Sequence, residues 1–349
     1  MALLDAQDCA AKSLEVCRSD TTEVLAAQYA LQISSCCLDI FARFKPDFIF
    51  LWNGAQLVER VVAKLSPNIK KLFFEISNLP GKLFVDPVGV NAASSIATAP
   101  QAVQRFGTSS ESQFQDWKKE YLDAKRKAGV PQAKAARRVP WERPADAMLA
   151  QFGYGVYPIS VGRMCRRFIG KMSTGRQFTQ LHNEFRQMTE RAYRFFPLQV
   201  SEDTQLLLNS SLGNLAALRL AAIESSEGGN RLVVKIHPAE NSTSALSNLR
   251  TELRQLRRQH DVVISSGNTN ELISGAELVY TINSTVGLEA IILEKPVRIL
   301  GKALYKPFAE DHALLRAYVL SYLVDIDYFE NEAITKEQLA AVLERGGGQ

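Results

Sequence analysis

Short apolar runs alternate with helix-length segments from residue 195 to residue 300, and that alternation leaves few folds open. The runs are Phe195-Phe-Pro-Leu-Gln-Val200, Arg231–Ile236, Asp261–Ser265, Glu277–Ile282 and Pro296–Leu300. Each is too short to make a helix that buries itself. Their nearly continuous apolar character suits strands covered on both faces. The segments between them predict helices: Thr204 onward into Leu215–Ile223, Ser244–His260, Thr269–Gly275, and one from Val286. Such β-α alternation implies a parallel, doubly wound sheet.

A weaker alternation precedes it. Residues 20–44 predict one long helix, ended by Lys45-Pro46. Asp47–Trp52 and Lys70–Ile76 predict strands, separated by a helix over 55–65. Residues 100–195 carry polar, helical stretches and predict helical hairpins, with a strand only around Tyr154 to Ile159. Residues 310–345 predict a helical tail. The expected organisation is an N-terminal α/β domain over 1–195 with a helical insertion at 100–195. A second α/β domain follows over 196–305, and a tail over 306–349 packs back across both.

Composition narrows the function classes. The 349 residues can build two full cores, and 46% hydrophobic with 22% charged residues is ordinary for a soluble globular chain. No apolar run reaches the ~18–20 residues of a membrane span, and the N-terminus carries no signal-type core, so a cytoplasmic location is expected. Five cysteines at irregular spacing predict reduced thiols. The four histidines are scattered, so no metal is expected. A net charge of +4 gives no case for nucleic acid. A basic cluster over 118–138 reads as a solvated helix face or as a patch for anionic lipid.

Two strand ends carry groups suited to an anion. Asn283-Ser-Thr-Val-Gly-Leu-Glu289 places small hydroxyl residues where a helix begins, a position that holds phosphate. Lys235-Ile-His-Pro238 ends another strand in a histidine. In open α/β sheets ligands gather beyond the carboxyl ends of the strands. Asn53, Glu75, Gln199 to Gln205, His237, Asn283 to Thr285 and Gly301-Lys302 all fall there, which points to a nucleotide-sugar cleft.

The order of these segments resembles the bacterial capsule-polysaccharide synthesis family, the retaining β-Kdo transferases. The segments are Trp52-Asn53-Gly54, Phe74-Glu75, Leu79-Pro-Gly81, Asp86-Pro-Val-Gly-Val-Asn91, Pro197-Leu-Gln199 with Asp203-Thr-Gln205, Lys235-Ile-His-Pro238, Asn283 to Glu289, and Lys295-Pro-Val with Gly301-Lys-Ala-Leu-Tyr305. The resemblance covers roughly 45–100 and 195–306. It implies a GT-B-like fold, two Rossmann-type domains facing a cleft, with no metal or cofactor and CMP-Kdo as donor substrate. It implies a glycolipid or oligosaccharide acceptor and work at the cytoplasmic face of the inner membrane. A GT-B N-domain usually opens with a strand, whereas this chain opens with helix-like sequence, so its first β-α unit is expected to be missing.

The chemistry of such a transfer assigns expected roles. Ser284 and Thr285, with Asn283, would hold the phosphate, and Glu289 the ribose. Lys235 would add charge. His237 would protonate or hydrogen-bond the departing phosphate. Asp203 would be the nucleophile that retention by double displacement requires, with Glu202 as the neighbouring alternative. Gln199 and Gln205 would orient it or bind the sugar. Glu75, a carboxylate closing a buried strand, would serve the acceptor hydroxyl as acid/base. Asn53 and Asn91 would contact acceptor or Kdo oxygens. Bland readings stand beside these: N-caps for Asp203 and Ser284, a turn for Asn53. A UDP-sugar transferase or epimerase, or a non-catalytic export partner, would suit the same fold.

Overall fold

The computed structural model describes residues 5–77, 79–127, 174–186, 191–330 and 332–347. The chain divides into two compact units. Unit 1 is Met1–Ile159 with Asp311–Gln349, and unit 2 is Ser160–Glu310. The division differs from the expected boundary at 195, and the tail belongs with the first unit. The strand expected around Tyr154 to Ile159 and residues 128–138 of the basic cluster lie outside the described residues.

Unit 1 begins with helices α1 (Ala6–Ala11), α2 (Leu14–Cys17) and α3 (Glu23–Phe44). Thr22 caps α3, and Lys45, in the left-handed region before Pro46, ends it. Strand β1 (Phe48–Trp52), helix α4 (Leu57–Leu65), and strands β2 (Lys70–Ile76) and β3 (Leu83–Asp86) follow. The sheet order is β1-β2-β3. β1 and β2 are parallel, but β3 returns antiparallel. Unit 1 is therefore a small mixed sheet among the described residues rather than the expected doubly wound one. The cause is local: Pro80-Gly81 reverses the chain, and no crossover helix separates β2 from β3. Helices α5 (Ser95–Thr98) and α6 (Glu111–Lys127) come next.

One helix bears on the expectation about the membrane. Helix α3 has 22 residues, and an 18-residue window in it has mean hydropathy 1.4 with only 17% of it buried. By length and composition it could cross a bilayer. Gln28, Gln32, Ser34 and Ser35 interrupt any unbroken apolar run, yet the helix carries few charges, so its average stays apolar. Core helices of soluble proteins meet the same criterion.

The described part of unit 2 opens with helix α7 (residues 174–185) and strand β4 (Tyr193–Pro197). The alternation then runs α8 (Thr204–Asn209), α9 (Asn214–Glu227), β5 (Arg231–Lys235), α10 (Thr243–Leu256), β6 (Val262–Ile264), α11 (Thr269–Gly275), β7 (Leu278–Thr281), α12 (Thr285–Ile292) and β8 (Val297–Ile299). The sheet is parallel throughout, in the order β6-β5-β4-β7-β8. Alternate residues of the same strands supply two cores. Leu232, Val234 and Ile264 pack with α9 and α10, while Val233, Val263 and Val279 pack with α11 and Ala290 of α12. The single helix expected from Thr204 to Ile223 is two, because Ser210–Gly213 interrupts it.

The tail returns to unit 1 as α13 (His312–Ala317), a π-helical turn at Tyr318–Tyr322, and α14 (Lys336–Arg345). Leu83 and Val324 exchange backbone hydrogen bonds at 2.8 and 3.0 Å, which closes the β3 edge. Val324 and Val342 complete the core over Leu72, Leu83 and Val85.

Candidate functional site

In unit 2 the chain direction of sheet building reverses between β4 and β7, the place where such sheets bind ligands. The residues following these two strands meet there. Gln199 Nε2 donates to Asn283 Oδ1 at 2.9 Å, and the Asn283 backbone N–H donates to Gln199 Oε1 at 3.3 Å. Asn283 Nδ2 donates to the Gln205 carbonyl at 2.8 Å. Asn214 Nδ2 donates to the Gln199 carbonyl at 2.7 Å. Gln199 and Asn283 are 6% and 7% exposed. These amides satisfy each other inside the protein, so they build the floor of the crevice.

Above this floor starts α12. Ser284 caps it through Val286 N–H at 3.3 Å, and the Ser284 N–H donates to Thr281 Oγ1 at 3.1 Å. Ser284 is thus an N-cap, and the helix it opens still directs its first-turn N–H groups beyond the carboxyl end of β7. The glycine in this segment has a packing cause. A Cβ on Gly287 would meet the Tyr305 hydroxyl at 2.5 Å, and that hydroxyl donates to the Ser284 carbonyl. Burial holds the Tyr305 phenol well above its ordinary acidity range. Glu289, one turn on, is 8% exposed, which rules out a surface glutamate.

Lys235, at the end of β5, donates to the Gly267 carbonyl at 2.8 Å and to Thr269 Oγ1 at 2.7 Å. Its pKa is lowered, mainly by burial, while Glu289 pulls it back up. The half-buried Lys235 and the buried Glu289 thus sense each other's charge near the carboxyl end of the sheet.

His237 lies two residues beyond. The Ala239 N–H donates to His237 Nδ1 at 3.1 Å. That contact leaves the proton of the neutral ring on Nε2 and opposes a second one on Nδ1. The imidazole pKa is lowered, first by the protein crowded around it although part of the ring reaches solvent, and also by Lys235. Asp203 and Glu240 act the other way. His237 is therefore a neutral Nε2–H donor near pH 7 rather than a standing acid.

Asp203 caps α8 by accepting from Gln205 N–H at 2.7 Å. The cap is real, and the carboxylate still lies close enough to His237 to bias its proton. Sequence reasoning missed Glu240. Its carboxylate, 7% exposed, accepts from Ser201 N–H at 2.7 Å, Ser201 Oγ at 3.0 Å and Ser242 N–H at 2.9 Å. It ties the loop carrying Asp203 to the loop carrying His237. A cavity of about 500 Å3 adjoins, lined by Leu198, Ser201, Leu206, Asn214, Ile236 and Glu240 among others. That volume lies within the range of small-molecule sites.

Glu75, Asn53 and Asn91 belong to unit 1. Asn53 Nδ2 donates to Glu75 Oε2 across the ends of β1 and β2. Asn53 has φ +73° and Gly54 φ +75°. A Cβ on Gly54 would lie 2.7 Å from the Phe73 ring, so the turn requires glycine. Asn91, φ +52°, opens a 3-10 turn reached through the Asp86 loop. Asp86 is the unit's buried hub. Its carboxylate accepts from Val88 N–H, Gly89 N–H, Ser95 Oγ and Tyr322 OH at 2.8, 3.1, 2.6 and 2.8 Å. Among the described residues no group of three His, Cys, Asp or Glu side chains could hold a metal.

The fold defines an α/β protein with two sheet-containing units, one of them doubly wound. Residues 146–308, which span most of that unit, match the family described as capsule polysaccharide biosynthesis protein. The chain is 28% identical to protein FixF of Sinorhizobium fredii over 263 residues, 74% of this chain and 49% of that protein. It is 27% identical to the capsule polysaccharide export protein KpsS of Escherichia coli over 149 residues, 40% of this chain and 36% of that one. The chain thus spans half or less of the curated relatives it matches. Among solved structures it overlaps KpsC of Thermosulfurimonas dismutans, a beta Kdo 2,7 transferase, with TM-score 0.44 and 16% identity over 88% of this chain and 78% of that one. An overlap that loose bears on neither substrate nor mechanism.

Proposed function

We propose that the protein is a glycosyltransferase of bacterial surface-polysaccharide synthesis that moves Kdo from CMP-Kdo to a glycolipid or oligosaccharide acceptor with retention. One observation carries the reading. The first turn of α12, the Lys235 and Glu289 pair, His237 and Asp203 belong to one carboxyl edge of one sheet, inside the segment that matches the capsule family.

In this reading Ser284, Thr285 and the N–H groups of α12 hold the single phosphate. His237 Nε2–H donates to it as negative charge grows on the leaving CMP. Lys235 offsets that charge, and Glu289 takes a ribose hydroxyl. The Asp203 carboxylate attacks the anomeric carbon as the bond to the CMP oxygen breaks, and the resulting ester is opened by the acceptor oxygen. Glu75, hydrogen-bonded by Asn53, is the proposed base for the acceptor proton, and Asn91 a proposed acceptor contact. Gln199, Gln205 and Asn283 shape the crevice floor. The protein would work in the cytoplasm at the inner membrane, without metal or cofactor.

The test is CMP release from CMP-Kdo by the purified protein, with thermal shifts in CMP and in UDP. Release, and a shift with CMP alone, supports the reading. A shift with UDP alone transfers the site to a UDP-sugar enzyme. CMP binding without any turnover favours the second reading, a non-catalytic partner in polysaccharide export, to which the similarity to KpsS lends support.

A further inference from the structure

Glu240 lies three residues past His237, and the transfer chemistry leaves it without a role. Between them the chain makes a tight turn, closed by the Glu240 N–H donating to the His237 carbonyl at 3.0 Å. The same turn orients the imidazole, because the Ala239 N–H donates to its Nδ1. The Glu240 side chain then reaches the loop after β4. There Oε2 accepts from Ser201 N–H at 2.7 Å and Oε1 from Ser201 Oγ at 3.0 Å. On its own loop Oε1 also accepts from Asn241 N–H at 3.0 Å and Ser242 N–H at 2.9 Å. Ser201 stands two residues before Asp203, whose N–H closes its turn on the Val200 carbonyl at 3.0 Å. One carboxylate thus joins the turns that carry the Asp203 and His237 side chains.

Packing alone does not set the distance between these turns. The cavity of about 500 Å3 has Ser201 and Glu240 in its lining. On that side the turns border a cavity rather than close-packed side chains, and dispersion contacts are fewer. The residue type matters as well. An amide has one acceptor oxygen and would set an NH2 group against a donor. The carboxylate takes all four donors at once, as charge-assisted hydrogen bonds. Its charge also reaches the ring. Glu240 and Asp203 raise the His237 pKa, against the crowding and Lys235, which lower it; among the described residues these are the charged groups that act on the ring.

We propose that Glu240 is a positioning residue: by joining Ser201 to the turn after His237, its carboxylate fixes the Asp203 carboxylate and the His237 imidazole relative to each other. The proposal rests on the transferase reading for its chemical use, since attack by Asp203 and donation by His237 fall in the same step. A shift of either group by about 1 Å costs on the order of a hundredfold in rate. Donor binding is spared, because the phosphate contacts assigned to α12 do not involve Glu240.

The test is a double-variant cycle read at the His237 ring by NMR, with the resonance assigned by its loss in His237→Gln. Asp203→Asn keeps the helix cap and removes the charge, so it lowers the His237 midpoint of the parent. Glu240→Gln starts from a lower midpoint, and there Asp203→Asn is expected to lower it by clearly less, because the turns are no longer joined. An equal step in both backgrounds overturns the proposal: Glu240 then acts through its charge alone. In parallel, Glu240→Gln is expected to lower kcat for CMP-Kdo roughly tenfold to a hundredfold, with KM and CMP binding kept within about twofold. Unchanged turnover, or a fall in kcat matched by lost CMP binding, overturns the positioning role. If Glu240→Gln fails to fold, Ser201→Ala removes only the Oγ tie and gives the same pattern at smaller size. A parent that turns over no CMP-Kdo removes the transferase reading, while the NMR cycle still decides whether Glu240 joins the pair.

Discussion

The two units solve the same packing problem with different means. Unit 2 has five parallel strands, helices over both faces, and core residues drawn from one continuous stretch of chain. Unit 1 has three strands among the described residues, and the core on one side of them is completed by Val324 and Val342 from the other end of the sequence. Arg345, 6% exposed, fastens that return by donating to the carbonyls of Tyr322 at 2.9 Å and Ser321 at 2.7 Å, with its guanidinium 3.9 Å over Phe106. The polar centres differ as well. Unit 2 locks its switch point with neutral amides, and unit 1 gathers its loops on one buried carboxylate, Asp86. A self-contained sheet leaves its carboxyl edge free for chemistry. A sheet completed from afar depends on its charged hub.

The sharpest break of this comparison separates capping from chemistry at Asp203. Asparagine caps a helix as well as aspartate does, so Asp203→Asn should melt like the parent yet lose roughly a thousandfold or more in CMP-Kdo turnover. Retained turnover would leave Asp203 as a cap and move the nucleophile elsewhere, Glu202 first. Next in size is the hub. Asp86→Ala strands several buried donors and should cost on the order of 3 kcal/mol. In urea unfolding the loss should fall on unit 1, with CMP binding by unit 2 kept at low denaturant. If CMP binding fails at the same denaturant as the rest, the units are not independent in the way their cores suggest.

A smaller effect tests the amide lock. Gln199→Leu and Asn283→Leu should each cost about 1–3 kcal/mol by leaving a buried partner unsatisfied. The double variant should cost less than the sum, because the two groups share one interaction. The smallest effect is the titration of His237. An NMR titration of its ring should find a midpoint below the ordinary 6.5. The sign follows from linkage: the unfolded chain takes up this proton first, so the neutral ring's contribution to stability is whole above pH 6.5 and is lost as pH falls toward the folded midpoint. A midpoint above 6.5 would mean that Asp203 and Glu240 outweigh the crowding, and His237 would become a standing acid.

How far residues announce themselves differs across the molecule. The strands of unit 2 are legible because a buried parallel strand is a short apolar run, and its ligand-facing end is wherever that run stops. Ser284 and His237 are found by that rule alone. Glu240 is not, because its partners are backbone groups of a loop it reaches only after folding. Gln199 and Asn283 are legible as polar residues at strand ends. That they bind each other follows from the strand order, which places β4 beside β7. In unit 1 the apolar run of β1 reads like a central strand, yet among the described residues it pairs with β2 alone and stands at the edge of the sheet. Periodicity reports how apolar a strand is and carries no information on how many neighbours it has.

The sequence by itself settled that strands and helices alternate in unit 2, where those strands end to within about three residues, and which polar residues stand at those ends, since these follow from local covalent order and side-chain period. Tertiary structure alone decided that β3 turns back antiparallel, that the tail completes unit 1, that Asp86 and Glu240 are buried hubs, and that Tyr328 lies on Trp52. Each of those depends on contacts between residues far apart in the chain, whose free energy appears only once the backbone has brought them together.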